Sequence, residues 1–172
     1  MKVILLGYMT SGKTAVGKTL SKKLFLPFID LDAYISEKEQ LSIPEIFKTK
    51  GEIYFRKIEH LYVKELLNSK ERFVLSLGGG TPCYAGNMHL VTNNPNTISI
   101  YLEANIPTLV ERLQKGKVRR PLVSQLSDEK LVEFVAKHLF ERRNFYQQAT
   151  HKVQVNDKPL STIVTEIRIL LH

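Results

Sequence analysis

The sequence predicts an α/β fold in which helices cover both faces of a parallel β-sheet. Five short apolar runs alternate with amphipathic helical patterns along the 172 residues, and the first run leads through a glycine-rich turn straight into a helix. Strands that alternate with helices join in parallel, because each helix carries the chain back across the sheet. The chain is long enough for one core and contains no low-complexity linker, so we expect residues 1–172 to form a single domain.

The predicted strands are apolar runs bounded by turn residues: 2–6, 28–30, 72–77, 97–102 and 152–155. The predicted helices repeat apolar residues every three or four positions: 13–26, 32–39, 43–48, 52–68, a weaker pattern at 85–92, 106–114, 128–148 and 160–171. Two of them have clear start signals. Ser42 precedes Pro44 and Glu45 in the pattern of a capping box, and Ser127 precedes Asp128.

Residues 7–14, which follow the first strand, read G-Y-M-T-S-G-K-T and match G-x-x-x-x-G-K-[ST] at every fixed position. The glycines let backbone N–H groups point at phosphate oxygens, and the helix that opens at Gly12 adds its positive dipole end. Lys13 supplies a charge for the β- and γ-phosphates, and the Thr14 hydroxyl can bind Mg²⁺. We call residues 7–14 the phosphate-binding loop and expect a nucleoside triphosphate there.

Two carboxylates, Asp30 and Asp32, follow the second strand. If the chain stays extended there, both point to the same side of it. Near a triphosphate, one carboxylate suits the water shell of Mg²⁺ and the other suits the hydroxyl that accepts the phosphoryl group. In the structural alternative, Asp32 only caps the next helix and Asp30 is solvated.

A helix and a glycine run supply further candidates for a binding site. Arg56 and Glu59 share one face of the helix 52–68, and a guanidinium held by a carboxylate is suited to grip a substrate carboxylate. Taken alone, this pair is an ordinary surface ion pair. Residues 78–80 are three glycines directly after a strand, for which close approach of a ligand is the natural reason and a simple loop is the alternative.

The segment 115–126 is basic and marked by glycine and proline. It contains Lys115, Lys117, Arg119 and Arg120, and we expect a mobile lid that brings arginine to the transferring phosphates. A solvated charge run is the alternative.

The formal net charge of +8 fits anionic small substrates, and the basic residues are scattered over several helices, so we expect no nucleic-acid partner. No apolar stretch approaches the roughly 20 residues of a membrane span. The first apolar run lasts about four residues, unlike a secretory signal. The chain has one cysteine, Cys83, and so cannot form an internal disulfide. We interpret Cys83 as a small apolar side chain that fills space, and the alternative is a reactive thiol. We expect a cytoplasmic protein.

Together these motifs resemble the shikimate kinase family over essentially all 172 residues. The matching elements are the loop 7–14, Asp30 with Asp32, Phe55-Arg56 with Glu59, Gly78-Gly79-Gly80, Arg120-Pro121-Leu122, and Arg142 with Tyr146. The resemblance implies a three-layer P-loop kinase fold with a five-stranded parallel sheet of order 2-3-1-4-5 and a mobile lid. It also implies ATP as co-substrate, Mg²⁺, and phosphorylation of the 3-hydroxyl of shikimate in aromatic amino-acid biosynthesis. We expect a monomer.

The resemblance also implies a role for each matching residue. Asp32, Lys13 and Arg120 would be catalytic, and Thr14 and Asp30 would serve the metal. Shikimate would be bound within a segment of about 31–62 and by residues beyond it: Asp32, Arg56, Arg142, Gly78, Gly79, Gly80, Phe47 and Phe55. ATP would be bound by Thr10, Ser11, Gly12, Lys13, Thr14, Ala15, Arg112, Arg120 and Lys158, the last in a loop beside adenine. Thr10 stands where many members have glycine.

Three other functions are compatible with the phosphate-binding loop. A gluconate-type kinase shares the loop and the lid but would not need Asp30, Asp32, Arg56 and three glycines. A nucleoside monophosphate kinase would need a base pocket in a segment that is short and charged here. A silent nucleotide- or nucleic-acid-binding module would not need Lys13, Asp32 and Arg120.

Overall fold

The computed structural model describes residues 1–116 and 121–172. Its strands are β1 Lys2–Leu6, β2 Phe28–Asp30, β3 Val74–Ser76, β4 Thr97–Glu103 and β5 His151–Gln154. All four pairings are parallel, and the order is β2-β3-β1-β4-β5. The predicted α/β class and strand order are confirmed.

The helices flank this sheet. They are α1 Lys13–Leu24, α2 Leu31–Glu39, α3 Ile43–Asn68, α4 Asn87–Asn93, α5 Ile106–Lys115, α6 Pro121–Ser124, α7 Asp128–Tyr146 and α8 Leu160–Leu170, with a 3-10 turn at Thr81–Cys83. The capping box at Ser42 and Glu45 forms as predicted, and Ser127 accepts a hydrogen bond from the Lys130 N–H. None of the helices in the described ranges is both long and apolar enough to cross a membrane.

The core is built around β1, which lies between β3 and β4. Val3, Ile4, Leu5 and Leu6 have no exposed surface, as a continuous apolar run buried on both faces requires. Helix α1 packs against β1, β2, β3 and α8, whereas α4 packs against β4. The central strand therefore places the phosphate-binding loop, which follows it, in the middle of one edge of the sheet.

Some predicted boundaries were wrong, but the division of α3 was not. The helices predicted at 43–48 and 52–68 are separated by a non-helical residue, Gly51, where φ is 83° and ψ is 171°. Strand β3 is shorter than predicted, and the 3-10 turn and α6 were not predicted. The proposed lid includes residues 117–120, among them Arg120, which lie outside the described residues.

Candidate active site

The candidate site lies at the carboxyl ends of β1, β2 and β3, where ligands bind in open α/β sheets. β1 ends in the phosphate-binding loop, β2 ends at Asp30, and β3 leads into the three glycines. The sheet therefore brings together the three motifs that the sequence placed at strand ends.

The phosphate-binding loop is held by its own backbone. Gly7 has φ 147°, and a Cβ atom there would lie 2.7 Å from the Leu102 carbonyl oxygen, so no larger residue fits. Gly12 has φ 98° and opens α1, which aims the first N–H groups of the helix into the loop. The Lys13 Nζ donates hydrogen bonds to the carbonyl oxygens of Gly7 at 2.8 Å and Tyr8 at 3.0 Å. The lysine is thus buried at the place where phosphate charge is expected.

Thr10 takes the backbone conformation that favours glycine, with φ 65°. Its hydroxyl donates to the Met9 carbonyl oxygen at 2.6 Å, and its own carbonyl oxygen accepts from Arg112 Nη1 at 3.0 Å. These two contacts help hold a threonine in the backbone conformation that glycine favours.

Thr14 and Asp30 provide oxygen atoms beside the phosphate-binding loop. The Thr14 hydroxyl donates to Asp30 Oδ2 at 3.4 Å, and Asp30 Oδ1 accepts from the Ala33 N–H at 3.2 Å. Within the described ranges, no three or more His, Cys, Asp or Glu residues group as a metal site. A hydroxyl and a carboxylate nevertheless fit Mg²⁺, which keeps several waters and shares its coordination with phosphates.

The structure corrects the extended arrangement expected for Asp30 and Asp32. Helix α2 begins at Leu31, so Asp30 is the helix cap and Asp32 lies in the first turn. The cap forms because Asp30 ends β2 with an extended backbone and its side chain reaches the Ala33 N–H. Asp32 is therefore free of the capping role that the structural alternative gave it.

Asp32 is an exposed residue. The protein around its carboxylate nevertheless replaces part of the surrounding water, and this desolvation, with the nearby carboxylates of Asp30 and Glu59, raises the pKa of Asp32 to about 6. Lys13 and Arg56 act in the opposite direction. The group is thus a base that ionises just below neutral pH, between a cation of the phosphate-binding loop and a cation of α3.

Arg56 is held by a buried carboxylate and an aromatic ring. Its Nη1 donates to Glu59 Oε2 at 3.0 Å, and the other Glu59 oxygen accepts from the Thr81 hydroxyl at 2.6 Å. The guanidinium carbon lies 3.8 Å from the centre of the Tyr84 ring. A cation stacked on an aromatic face and bonded at one edge has a fixed plane.

The glycines 78–80 make room for side chains of the site. A Cβ atom at Gly78 would lie 3.2 Å from Asp32 Oδ1, and one at Gly80 would lie 3.0 Å from Arg56 Nη2 and 3.5 Å from Arg142 Nη2. At Gly79 it would lie 3.4 Å from Arg142 Nη1. The three glycines thus let one carboxylate and two guanidinium groups approach the same loop.

Arg142 reaches this loop from α7. Tyr146, one turn further along α7, donates from its hydroxyl to the Gly79 carbonyl oxygen at 2.6 Å and fixes the helix to the loop. Arg142 Nη2 donates to His138 Nε2 at 3.3 Å, and the Tyr8 hydroxyl lies 3.1 Å from His138 Nδ1. The two arginines predicted for one acid group are therefore close together.

An apolar wall and a thiol border the same region. The rings of Phe47 and Phe55 lie 4.6 Å apart, with Phe55 buried and Phe47 partly exposed. Burial raises the pKa of the Cys83 thiol to about 11, so the thiol stays protonated near neutral pH, which favours the filler interpretation over a reactive thiol.

A cavity of about 260 Å³ lies on the other side of the phosphate-binding loop. Its lining includes Thr10, Ala15, Arg112 and Lys158 from the predicted nucleotide residues. Lys158 Nζ contacts Glu166 at 2.8 Å, and the apolar residues Leu160 and Ile163 complete the wall. Arginine and lysine beside an apolar wall suit a planar base attached to phosphates.

Sequence reasoning missed four residues of this site: Tyr8, Thr81, Tyr84 and His138. Tyr8 and Tyr84 gave no local signal, because their partners are distant in the chain. For His138 a signal existed, since positions 138, 142 and 146 are four residues apart and lie on one face of α7.

A family model described as shikimate kinase matches residues 9–171. The chain is 50% identical to a shikimate kinase of Flavobacterium psychrophilum over 170 residues, which cover 99% of this chain and 98% of that protein. A crystal structure of shikimate kinase from Bacteroides thetaiotaomicron superposes with a TM-score of 0.91 at 32% identity, covering 99% of this chain and 98% of that one. The shikimate kinase of Acinetobacter baumannii in complex with shikimate superposes with a TM-score of 0.86 at 30% identity, covering 99% and 92%.

Proposed function

The chain belongs to the shikimate kinase family and catalyses the ATP-dependent phosphorylation of shikimate, and on that premise we propose how its residues divide the reaction. One observation carries the assignment. Asp32 lies between Lys13 on the nucleotide side and Arg56 on the acceptor side, close enough for both cations to lower its pKa. A base in that position would lie at the point where the phosphoryl donor and the hydroxyl acceptor meet.

On the nucleotide side, we assign phosphate binding to Lys13 and to the backbone N–H groups of residues 10–15. Lys13 would exchange its loop carbonyl partners for phosphate oxygens as ATP enters. Thr14 and Asp30 would hold Mg²⁺, which when bound neutralises charge on the β- and γ-phosphates. Arg112, Lys158 and the apolar wall beside them would hold adenine. Arg120, which lies outside the described residues, would complete the charge around the transferring group from the lid segment.

On the acceptor side, we assign the shikimate carboxylate to Arg56 and Arg142. Their guanidinium groups approach Gly80 together, and planar donors of this kind bind a carboxylate through paired hydrogen bonds. Phe47 and Phe55 would contact the apolar face of the ring. Asp32 would then accept a hydrogen bond from the 3-hydroxyl and take its proton as the phosphoryl group is transferred. The segment 31–62 supplies most of this half of the site.

A panel of acceptors tests the proposal. With Mg·ATP and a coupled assay for ADP, we expect turnover with shikimate and none above background with gluconate or nucleoside monophosphates. An excess of gluconate or nucleotide turnover would replace the proposal with one of those kinase classes. The carboxylate assignment is tested by the alcohol analogue of shikimate, in which CH₂OH replaces the acid. It should be a poor substrate, because no charge-assisted contact to the arginines remains.

We also propose that the enzyme acts as a monomer in the cytoplasm, without nucleic acid or a membrane surface as partner. The basic residues are scattered over several helices, which argues against a nucleic-acid surface, and the single cysteine is consistent with a reducing compartment.

A further inference from the structure

A histidine that the proposed reaction does not use lies between the phosphate-binding loop and α7. His138 is partly buried and precedes Arg142 by one turn. Its Nδ1 lies 3.1 Å from the Tyr8 hydroxyl, and its Nε2 lies 3.3 Å from Arg142 Nη2. The Phe134 ring packs against the imidazole with centres 4.8 Å apart. The ring is therefore fixed on three sides.

The two polar contacts select one tautomer. A guanidinium group can only donate, so His138 Nε2 must accept from Arg142 and cannot carry a proton. A neutral imidazole then carries its proton on Nδ1, which donates to the oxygen of the Tyr8 hydroxyl. Tyr8 is buried, and its backbone carbonyl oxygen accepts from Lys13. His138 thus connects the nucleotide loop to the arginine on the acceptor side.

We propose that His138 is a positioning residue for shikimate, whose neutral tautomer joins Tyr8 to Arg142 and holds that guanidinium against Gly79 and Gly80. The inference rests on the proposed function, since it concerns the arginine assigned to the substrate carboxylate.

A neutral partner leaves Arg142 available to the substrate. Arg56 donates to the carboxylate of Glu59, which compensates part of its charge. Arg142 instead donates to an uncharged ring nitrogen. This contact restricts the side chain without competing for the charge that an incoming carboxylate would meet.

The contact depends on the protonation state of His138. Burial and the neighbouring Arg142 lower the pKa of His138, Lys137 acts in the same direction, and Glu141 opposes them. Tyr8 faces the ring from the phosphate-binding loop and stays neutral, because burial raises its pKa to about 12. His138 is therefore neutral at pH 7. Protonation would place an N–H group against the guanidinium and release Arg142.

Binding of shikimate, measured by isothermal titration calorimetry, tests the inference. At pH 8 we expect His138→Leu to bind shikimate about tenfold more weakly than the wild type, because Arg142 loses its acceptor. His138→Gln should stay within about threefold, since the amide oxygen can still accept from Arg142. His89→Gln, the same substitution on α4, where the ring contacts Asn93, should bind like the wild type.

The pH dependence separates positioning from packing. As pH falls from 8 to 5, the wild type should lose more affinity for shikimate than His138→Gln, which has no imidazole to protonate. Asp32 titrates in both proteins, so its contribution to the pH dependence cancels when the two are compared.

Equal pH dependence of shikimate binding in the two proteins, or wild-type affinity in a folded His138→Leu variant, would overturn the inference while leaving the proposed function intact. A wild type that binds no shikimate would overturn both. If His138→Leu does not fold, the comparison with His138→Gln decides.

Discussion

The Nη1 atom of Arg56 donates a hydrogen bond to the Oε2 atom of Glu59 at 3.0 Å, one turn further along α3. Glu59 is 1% exposed, and its second oxygen is bonded to Thr81 in the turn after the glycines. The carboxylate therefore fixes the guanidinium to the floor of the site. Nη2 is left facing Gly80, in the direction from which a substrate carboxylate would come.

Replacing Arg56 by lysine should separate charge from geometry. A lysine keeps the charge but loses the paired donors and the stacking on Tyr84. We expect the KM for shikimate to rise on the order of 10- to 100-fold in Arg56→Lys, with the KM for ATP nearly unchanged. Steady-state kinetics with each substrate varied in turn measures both. Arg168→Lys, the same change in the last turn of α8, is the control and should leave both KM values unchanged. If Arg56→Lys raises the KM for ATP as much as the KM for shikimate, Arg56 is a structural residue.

Gly80→Ala should displace the Arg56 side chain without straining the backbone. Gly80 has φ −87° and ψ −19°, a conformation that alanine adopts freely, but the new Cβ would lie 3.0 Å from Arg56 Nη2. We expect the KM for shikimate to rise about tenfold, while the free energy of unfolding stays within about 0.5 kcal/mol of the wild type. Kinetics and urea denaturation check the two halves. A large loss of stability with unchanged KM would contradict the role given to this glycine.

The parts of the molecule that local sequence encodes could be predicted. The phosphate-binding loop has fixed residue types at fixed spacings, and its lysine and glycines do what the pattern indicates. The strand order came from the family resemblance and is confirmed. The break at Gly51 was predicted as a gap between two helices, because glycine and polar residues interrupt the pattern there.

The rest depends on contacts between distant parts of the chain. His138 and Tyr8 are 130 residues apart, so no local pattern could reveal their contact. The start of α2 at Leu31 was missed because Asp30 and Asp32 both suit a helix start, and only the Asp30–Ala33 hydrogen bond shows which one is the cap. The reason for three glycines also needed the structure, which shows side chains from α2, α3 and α7 converging on that loop.

Glu39 stabilises the kinked segment that carries the acceptor half of the site. Its two carboxylate oxygens accept from the hydroxyls of Tyr62 and Tyr54, each at 2.8 Å, and one also contacts Lys50 Nζ at 3.1 Å. Lys50 and Tyr54 lie on either side of Gly51. We expect Glu39→Gln to lower the free energy of unfolding by about 1–2 kcal/mol at pH 7, because the charge-assisted acceptors are lost.

The pH dependence of that loss has a definite sign. Hydrogen bonds from the two tyrosines lower the pKa of Glu39 below its usual range. The stabilisation is therefore complete above the pKa of the unfolded chain and disappears as pH falls through the lower pKa of the folded state. Urea denaturation at pH 7 and at acid pH should show the difference between wild type and Glu39→Gln shrinking with acidity. Glu37→Gln, an exposed change on the same helix, should have little effect at either pH.

Asp32→Asn tests the base and its cost to the fold in one variant. An amide cannot take the proton of the hydroxyl, so kcat should fall by about 10²-fold or more with smaller changes in either KM. The pH profile of kcat/KM reports groups of the free enzyme, so in the wild type it should decline as pH falls through the Asp32 pKa of about 6, and the part of this limb due to Asp32 should be absent from the variant. The pKa of Asp32 is higher in the folded chain than in the unfolded chain, so between about pH 4 and pH 6 the folded chain binds a proton that the unfolded chain has released. The wild type therefore loses stability as pH rises through this range. Because Asp32 is an exposed residue whose charge water partly screens, we expect a gain of only about 1 kcal/mol for Asp32→Asn at pH 8 and none at pH 4. Full activity in the Asp32→Asn variant would leave Asp32 without a catalytic role. If the variant is less stable than the wild type at pH 8, the folded site stabilises the charge of Asp32 and does not destabilise it.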